Sequence, residues 1–340
     1  MPNMIILQDA QKICERLRMD VLQNTTVLVT GASGLIGTYF LACLSHLKSI
    51  GHRIQVHALC LSAPPPHLAA FTAKDGFNIM RIDLSDCKEY QKLPQADIII
   101  HAAGYAQPSL FMTNPVATIQ INTSATAALM ERLRPRGRFL FLSSSEIYSG
   151  LNKHVLSEED IGLTTPSHSR AAYIEGKRCG EAICNVFLSQ GVQVKIARVA
   201  LAYGPGTRKH DRRALNSFIE KALIQDRIEL LDAGAAVRTY CYIADAVELM
   251  WHILLNGKEV VYNVGGRSTI TIAELAQRVG SITGKPVTFP DTEDSSAGAP
   301  SEVSLDLSKA ETEFGKTEYV ELEEGLNRTI SWQRELYCRE

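Results

Sequence analysis

The chain has 340 residues, 45% hydrophobic and 21% charged, with a formal net charge of −2. This is an ordinary globular balance, long enough for a nucleotide-binding domain with a smaller lobe, and it lacks the basic excess of a nucleic-acid or membrane-surface binder. No apolar run is long enough to span a bilayer. The first eighteen residues are broken by Asp9, Lys12, Glu15, Arg16 and Arg18, unlike a secretory signal, and the eight cysteines form no CxxC pair or zinc-type His/Cys cluster, so a cytoplasmic chain with reduced, packed thiols such as Cys43, Cys60 and Cys184 and no metal is expected.

Residues 4–22 carry apolar positions at helical spacing (Ile5, Ile6, Ile13, Leu17, Val21), which predicts a short helix before the main domain. Strands and helices then alternate. Strands are predicted at Val27–Thr30, Ile54–Leu61, Asn78–Ile82, Ile98–His101, Phe139–Ser143 and Val194–Val199, and helices at Leu35–Leu47, 115–133 and 170–189. Continuous apolar strands alternating with helices predict an α/β, Rossmann-type doubly wound parallel sheet covered on both faces. After Gly204 the alternation weakens, with helices expected at 212–225, 244–255, 271–282 and 321–336 and short strands near 228–231, 239–243 and 261–264. Asp291–Ser301, rich in Ser, Ala, Gly and Pro, reads as a surface loop. The expected organisation is a helical extension over 1–25, a dinucleotide-binding domain over 26–203, and a smaller α/β substrate lobe over 204–340. Segments around 239–264 would return to the first domain.

Thr30-Gly31-Ala32-Ser33-Gly34-Leu35-Ile36-Gly37 follows the first strand and opens a helix. Gly31 and Gly34 allow a tight turn and close approach of Ser33, Leu35 and Ile36 to a pyrophosphate. Gly37 lets the helix pack near the strand, and the helix N-terminus offers free N–H groups to the anion. Such sites place an acidic residue at the end of the second strand to hold the adenosine ribose. Here no Asp or Glu occurs between Gly37 and Asp75, and the strand ends Ala58-Leu59-Cys60-Leu61-Ser62. The residues leave NAD and NADP both open. Asp83, followed by Leu84, is placed to accept a hydrogen bond from the adenine amine.

Tyr173 and Lys177 lie four residues apart on one face of a predicted helix. A neighbouring ammonium and a positive nicotinamide favour the phenolate, which makes Tyr173 a general-base candidate for a sugar hydroxyl. Ser143-Ser144-Ser145-Glu146 stands at the carboxyl end of the fifth strand, where side chains face the ligand crevice.

The chain resembles the extended short-chain dehydrogenase/reductases, the epimerase/dehydratase group, and within them the UDP-glucuronate decarboxylases. The resemblance is carried by His101-Ala102-Ala103-Gly104, Asn114-Pro115, Ile121-Asn122-Thr123, Ser144-Ser145-Glu146-Ile147-Tyr148 and Arg170-Ala171-Ala172-Tyr173-Ile174-Glu175-Gly176-Lys177-Arg178. It continues through Tyr203-Gly204-Pro205, Arg238-Thr239-Tyr240-Cys241-Tyr242-Ile243-Ala244-Asp245 and Leu322-Glu323-Glu324-Gly325-Leu326. It implies that Ala102, Ala103 and Gly104 line a bound NAD and that Ser144 holds the sugar 4-oxygen beside Tyr173. It also implies that Glu146 is an acid/base or supporting carboxylate, and that Arg238 and Arg213 bind the diphosphate or sugar acid, near Ser145. Related 4,6-dehydratases use an Asp-Glu pair, whose Asp position is Ser145 here, and 4-epimerases usually lack a carboxylate at the position of Glu146. Leu201 and Gly206 stand where the family usually has Asn and Arg, a departure that bears on the nucleotide and leaves the hydride chemistry intact. The expected reaction is transient oxidation of the sugar C4 hydroxyl followed by decarboxylation. A 4,6-dehydratase, a 4-epimerase and a non-catalytic dinucleotide-binding scaffold are the alternatives. The resemblance further implies a homodimer paired through helices 115–133 and 170–189, where Ala125, Leu129, Ala182 and Ile183 widen the apolar faces.

Overall fold

The buried run Val27-Leu28-Val29 is the centre of strand β1 (Thr25–Thr30), with Val27 and Val29 in one apolar cluster and Leu28 in another. A strand buried on both faces needs helices on both sides. In the computed structural model, which describes residues 2–290 and 302–337, the chain supplies them in turn. Helix α1 (Pro2–Arg16) precedes β1, and α2 (Leu35–Ser49), β2 (Ile54–Cys60), α3 (Pro66–Thr72), β3 (Phe77–Arg81) and β4 (Ala96–His101) follow it. Next come α4 (Pro108–Thr113), α5 (Pro115–Asn122), α6 (Ser124–Met130), β5 (Leu133–Ser144), α7 (Ala171–Ser189) and β6 (Gln193–Val199). The second half holds β7 (Leu201–Tyr203), α8 (Ala214–Ile224), β8 (Ile228–Glu229), β9 (Val237–Tyr242), α9 (Ile243–Asn256) and β10 (Val261–Val264). It ends with β11 (Ser268–Thr271), α10 (Ile272–Thr283), β12 (Val287–Thr288), β13 (Glu302–Val303), α11 (Ser308–Phe314) and α12 (Leu322–Tyr337).

Seven parallel strands form the central sheet in the order β10-β6-β5-β4-β1-β2-β3. The order reverses between β1 and β4, and this switch point opens the ligand crevice at the carboxyl ends of the strands. Of the segment around 239–264, β10 joins this sheet beside β6, whereas β9 pairs with β7, β11 and β13 in a second, smaller sheet. The surface loop expected over Asp291–Ser301 lies outside the described residues. Among the described residues no helix is long and apolar enough to cross a membrane, and no group of three or more His, Cys, Asp or Glu side chains is placed to hold a metal ion.

The helix expected over 115–133 is two helices. Thr123 (φ −113°, ψ −82°) leaves helical geometry between α5 and α6. Polar side chains here bond back to the main chain: Asn122 Nδ2 donates to the Thr118 carbonyl at 2.7 Å, and Thr123 Oγ1 to that of Ile119 at 2.8 Å. Such local bonds compete with helix continuation. Ala125 and Leu129 are fully buried in this chain's own core, so they are not outward-facing.

The first helix is built into the molecule. Ile6, Ala10 and Ile13 are buried against the core, and Asp9 between them is buried too. Its carboxylate accepts from the hydroxyls of Tyr39 (3.0 Å) and Tyr242 (2.7 Å) and from Arg328 Nη1 (2.7 Å). Burial raises its pKa, and the Tyr242 bond and the Arg328 charge oppose the rise.

Candidate active site

The turn after β1 packs closely against the end of β4 and the start of α2. Gly31 has φ +61°, and a Cβ there would lie 2.5 Å from the Ala102 carbonyl oxygen and 2.7 Å from the Ala103 nitrogen. A side chain is therefore excluded where the first turn meets the end of β4. A Cβ on Gly37 would lie 2.7 Å from Ala32 Cα, so α2 rests directly on the turn. At Gly34 a Cβ would meet within the protein only the Gly31 carbonyl oxygen, at 3.2 Å, and its other side is open. Thr30 Oγ1 ties the two loops, bonding the Ala103 N–H (3.0 Å) and His101 Nδ1 (2.8 Å). Burial holds His101 neutral, with its pKa lowered to about 3. Ser33 is buried, Leu35 and Ile36 are half-buried, and Gly104 is exposed. Asp83 is exposed and accepts from the Ser85 N–H at 2.9 Å, and Leu84 is buried behind it.

Ser144 ends β5, and Tyr173 and Lys177 sit on the first two turns of α7. Burial pushes the Tyr173 phenol up to about 12, and the Ser144 hydroxyl beside it pulls the other way. Its ring stacks on Phe111 of α4, with centroids 4.6 Å apart. Lys177 is buried and donates to the Leu142 carbonyl at 2.6 Å, with its ammonium 5.9 Å from the Tyr173 ring centroid. Burial lowers it to about 8, and the Glu181 carboxylate opposes that. Glu181 is itself held by Arg198 (2.8 and 3.0 Å) and by the Ser143 hydroxyl (2.5 Å), which braces the residue next to Ser144.

Glu146 lies in the short turn after β5, its Oε1 accepting from Arg170 Nη2 at 2.6 Å. Oε2 is buried and makes no well-formed hydrogen bond among the described residues, although the Ser149 hydroxyl is near enough to favour the charged form. Burial raises the Glu146 pKa, against the charges of Arg170 and Arg238. Arg238, at the start of β9, therefore reaches the site from the smaller sheet. Arg213 acts on both Tyr173 and Tyr240 through its charge, but its guanidinium is forked onto Asp211 at 2.6–3.1 Å. Ser145 is half-buried in the same turn as Glu146.

Four contributors were not singled out from the sequence. Arg170 was visible only as the first residue of the motif around Tyr173, with no role given to it. Phe111 sits on a short helix that no sequence pattern predicted, and Tyr240 stood inside the Arg238–Asp245 motif with no role given to it. Arg208 bonds Ser33 across the glycine-rich turn, from 175 residues away, and no local pattern marks it.

A doubly wound sheet with this turn and this Ser–Tyr–Lys cluster defines a nicotinamide-dependent enzyme of the extended short-chain dehydrogenase/reductase type. The chain belongs to the NAD dependent epimerase/dehydratase family, whose model matches residues 27–265. It is 28% identical over 313 residues to UDP-glucuronic acid decarboxylase 1 of Xenopus tropicalis, covering 91% of this chain and 72% of the relative. It is also 28% identical to UDP-glucuronic acid decarboxylase 6 of Arabidopsis thaliana, covering 89% and 87%. Among solved structures, the UDP-glucose 4-epimerase of Thermotoga maritima superposes with a TM-score of 0.78 at 22% identity, covering 92% of this chain and 99% of that one. The dTDP-glucose 4,6-dehydratase DesIV of Streptomyces venezuelae superposes with a TM-score of 0.79 at 23% identity, covering 91% and 97%.

Proposed function

We propose that the chain oxidises the C4 hydroxyl of a nucleotide-linked sugar acid and releases carbon dioxide from C5, as a UDP-glucuronate decarboxylase-like enzyme. The bound NAD would accept the hydride, and the glycine turn Gly31–Gly37 with Ala102, Ala103 and Gly104 would hold it. The chain's own groups do the rest. Tyr173 takes the C4 hydroxyl proton, Ser144 orients that oxygen, and Lys177 keeps a positive charge under the phenol. A ketone at C4 makes the C5 carboxylate a β-keto acid, which needs little beyond positioning to lose carbon dioxide; a proton then takes the place of the carboxylate at C5, and return of the hydride would restore the C4 hydroxyl, so that the sugar loses carbon dioxide alone.

The observation that carries this reading is the placement of Glu146, Arg170 and Arg238 around the Ser144 and Tyr173 hydroxyls. Three arginines (170, 213 and 238) face two carboxylates (Glu146 and Asp211), a surplus of positive charge that suits an anionic sugar and its diphosphate. Ser145 offers no second carboxylic acid beside Glu146, which favours decarboxylation over 4,6-elimination. The decarboxylase names of the relatives agree with this choice. The test is mass spectrometry after incubation with a panel of nucleotide sugars. A loss of about 44 mass units marks decarboxylation, about 18 dehydration, and no change epimerisation. Decarboxylation is expected, and either other result replaces it.

We further infer a homodimer through α5 and α7. Val116, Ile119 and Val186 are apolar and exposed on these two packed helices, an arrangement a second copy would cover. A dimer is expected in sedimentation at micromolar concentration, and a monomer there refutes it. The free, buried thiols of Cys43, Cys60 and Cys184 suit a reducing, cytoplasmic setting.

A further inference from the structure

The end of β2 carries the adenosine ribose in a site of this kind, and what stands there decides which dinucleotide fits. A carboxylate bonds the free 2′-hydroxyl and repels a phosphate, whereas an arginine accommodates a 2′-phosphate. Here the strand closes on Ala58-Leu59-Cys60 with Leu61 and Ser62 beyond, and no acid occurs from Gly37 to Asp75.

The fold brings cations to this place from two distant segments. Arg208 donates from Nη2 to Ser33 Oγ at 2.5 Å and from Nε to the Ser33 carbonyl at 3.1 Å. Its charge acts on Cys60 at the end of β2 and on His67 of α3, so the guanidinium stands among the glycine turn, the β2 exit and α3. From the other side Arg81, at the end of β3, donates from Nε to the Leu61 carbonyl at 3.2 Å. Both arginines are exposed, and neither forms a salt bridge among the described residues. The Nε2 of His67 is buried without a hydrogen-bond partner among those residues.

Arg208 is also held in position before any ligand arrives. Trp332 Nε1 of α12 donates to the Thr207 carbonyl at 2.9 Å, and Thr207 Oγ1 to that of Gly204 at 2.9 Å. The loop therefore presents its arginine with little ordering left to do, which favours binding.

We propose that the β2 exit is a 2′-phosphate site, with Arg208 and Arg81 as its counter-charges, and that the chain binds NADP at least as tightly as NAD. The inference rests on the dinucleotide reading of the glycine turn but not on the sugar chemistry.

Isothermal titration of the cofactor-free full chain with NAD and with NADP tests it. NADP is expected to match or exceed NAD. Arg208→Ala should weaken NADP about tenfold or more, the scale of a lost charge-assisted hydrogen bond, and NAD by much less. Added salt should raise the NADP dissociation constant more steeply than that of NAD. Arg81→Ala reads the same pocket from its far side and serves if Arg208→Ala fails to fold. NAD binding more than about tenfold tighter than NADP overturns the proposal. So does an equal loss for both dinucleotides in Arg208→Ala, which would put the guanidinium on the pyrophosphate. If neither dinucleotide binds, the dinucleotide reading itself falls, an outcome distinct from a preference for NAD.

Discussion

Replacing Tyr173 with Phe removes one oxygen and keeps the ring. The ring stacks on Phe111 at 4.6 Å with planes 13° apart, a contact that phenylalanine preserves. The lost hydroxyl has Ser144 as its neighbour, and one neutral hydrogen bond is worth about 0.5–1.5 kcal/mol against a typical stability of about 5–15 kcal/mol. The variant should therefore fold, and it should still bind NAD, because the glycine turn is untouched. Its chemistry should fail. Burial holds the phenol at about 12, so at pH 7 only about one molecule in 10⁵ carries the phenolate before the cofactor's positive ring is present. Lys177, with a pKa of about 8, is mostly charged at that pH and supports ionisation of Tyr173 in the complex. A phenyl ring has nothing to ionise. Loss of a general base typically costs about 10²–10⁴ in rate, or about 2.7–5.4 kcal/mol of barrier. Single-turnover absorbance of the reduced nicotinamide, with NAD titrated calorimetrically in parallel, reads both properties. Normal turnover in Tyr173→Phe would overturn the whole assignment of the catalytic site. A rate loss matched by lost NAD affinity would make Tyr173 a cofactor ligand rather than a base.

Glu146→Gln keeps the size of the side chain but cannot hold or pass a proton as a carboxylate does. It should slow the step after oxidation more than oxidation itself, so reduced cofactor and a 4-keto intermediate should accumulate. If both steps fall together, Glu146 only braces Arg170. Gly34→Val should still fold, with a lowered melting temperature, because a Cβ there meets only the Gly31 carbonyl, at a tight 3.2 Å that a small shift of the turn relieves. Its dissociation constant for NAD should nonetheless rise by about tenfold or more, since the side chain fills the pyrophosphate position, and unchanged affinity counts against the site. Arg198→Met leaves the Glu181 carboxylate buried without its guanidinium; the pair is 2.8 Å apart with side chains 8% and 9% exposed. Urea unfolding should show a loss of about 3–5 kcal/mol, largely recovered by adding Glu181→Leu, and a loss under about 1 kcal/mol would contradict the role given to the pair.

The alternating strands and the glycine turn were legible in the sequence because both are local patterns: a buried parallel strand reads as a continuous apolar run, and a tight turn demands glycine. The short helices α3 and α4 escaped notice because each opens on proline, a residue that punctuates loops as readily as it starts helices. The break at Thr123 escaped because helical periodicity does not register side chains that bond back to their own main chain. In the site, Tyr173 and Lys177 share a helix face, so spacing alone paired them. Arg238, on the smaller sheet, was reached only through the resemblance, and Arg208 was missed because only the assembled fold brings it to Ser33. The fork between Arg213 and Asp211 was not anticipated either, although the two residues are near neighbours in the chain.

The Asp9 carboxylate has its own consequence for how the molecule is made. Its partners Tyr39, Tyr242 and Arg328 span nearly the whole chain, and Arg328 lies 319 residues downstream. As the polypeptide leaves the ribosome, the first helix emerges with an apolar face and an acid that have almost nothing to dock on. Of its packing partners, α2 is available early, α9 follows only in the second half of the chain, and α12 comes after every other element described. At about 5–20 residues per second, that helix waits tens of seconds for the arginine that neutralises it. During that interval Ile6, Ala10 and Ile13 would be exposed to other chains or to a chaperone. Docking of this helix is thus completed only after the 319 residues that separate Asp9 from Arg328 have been made.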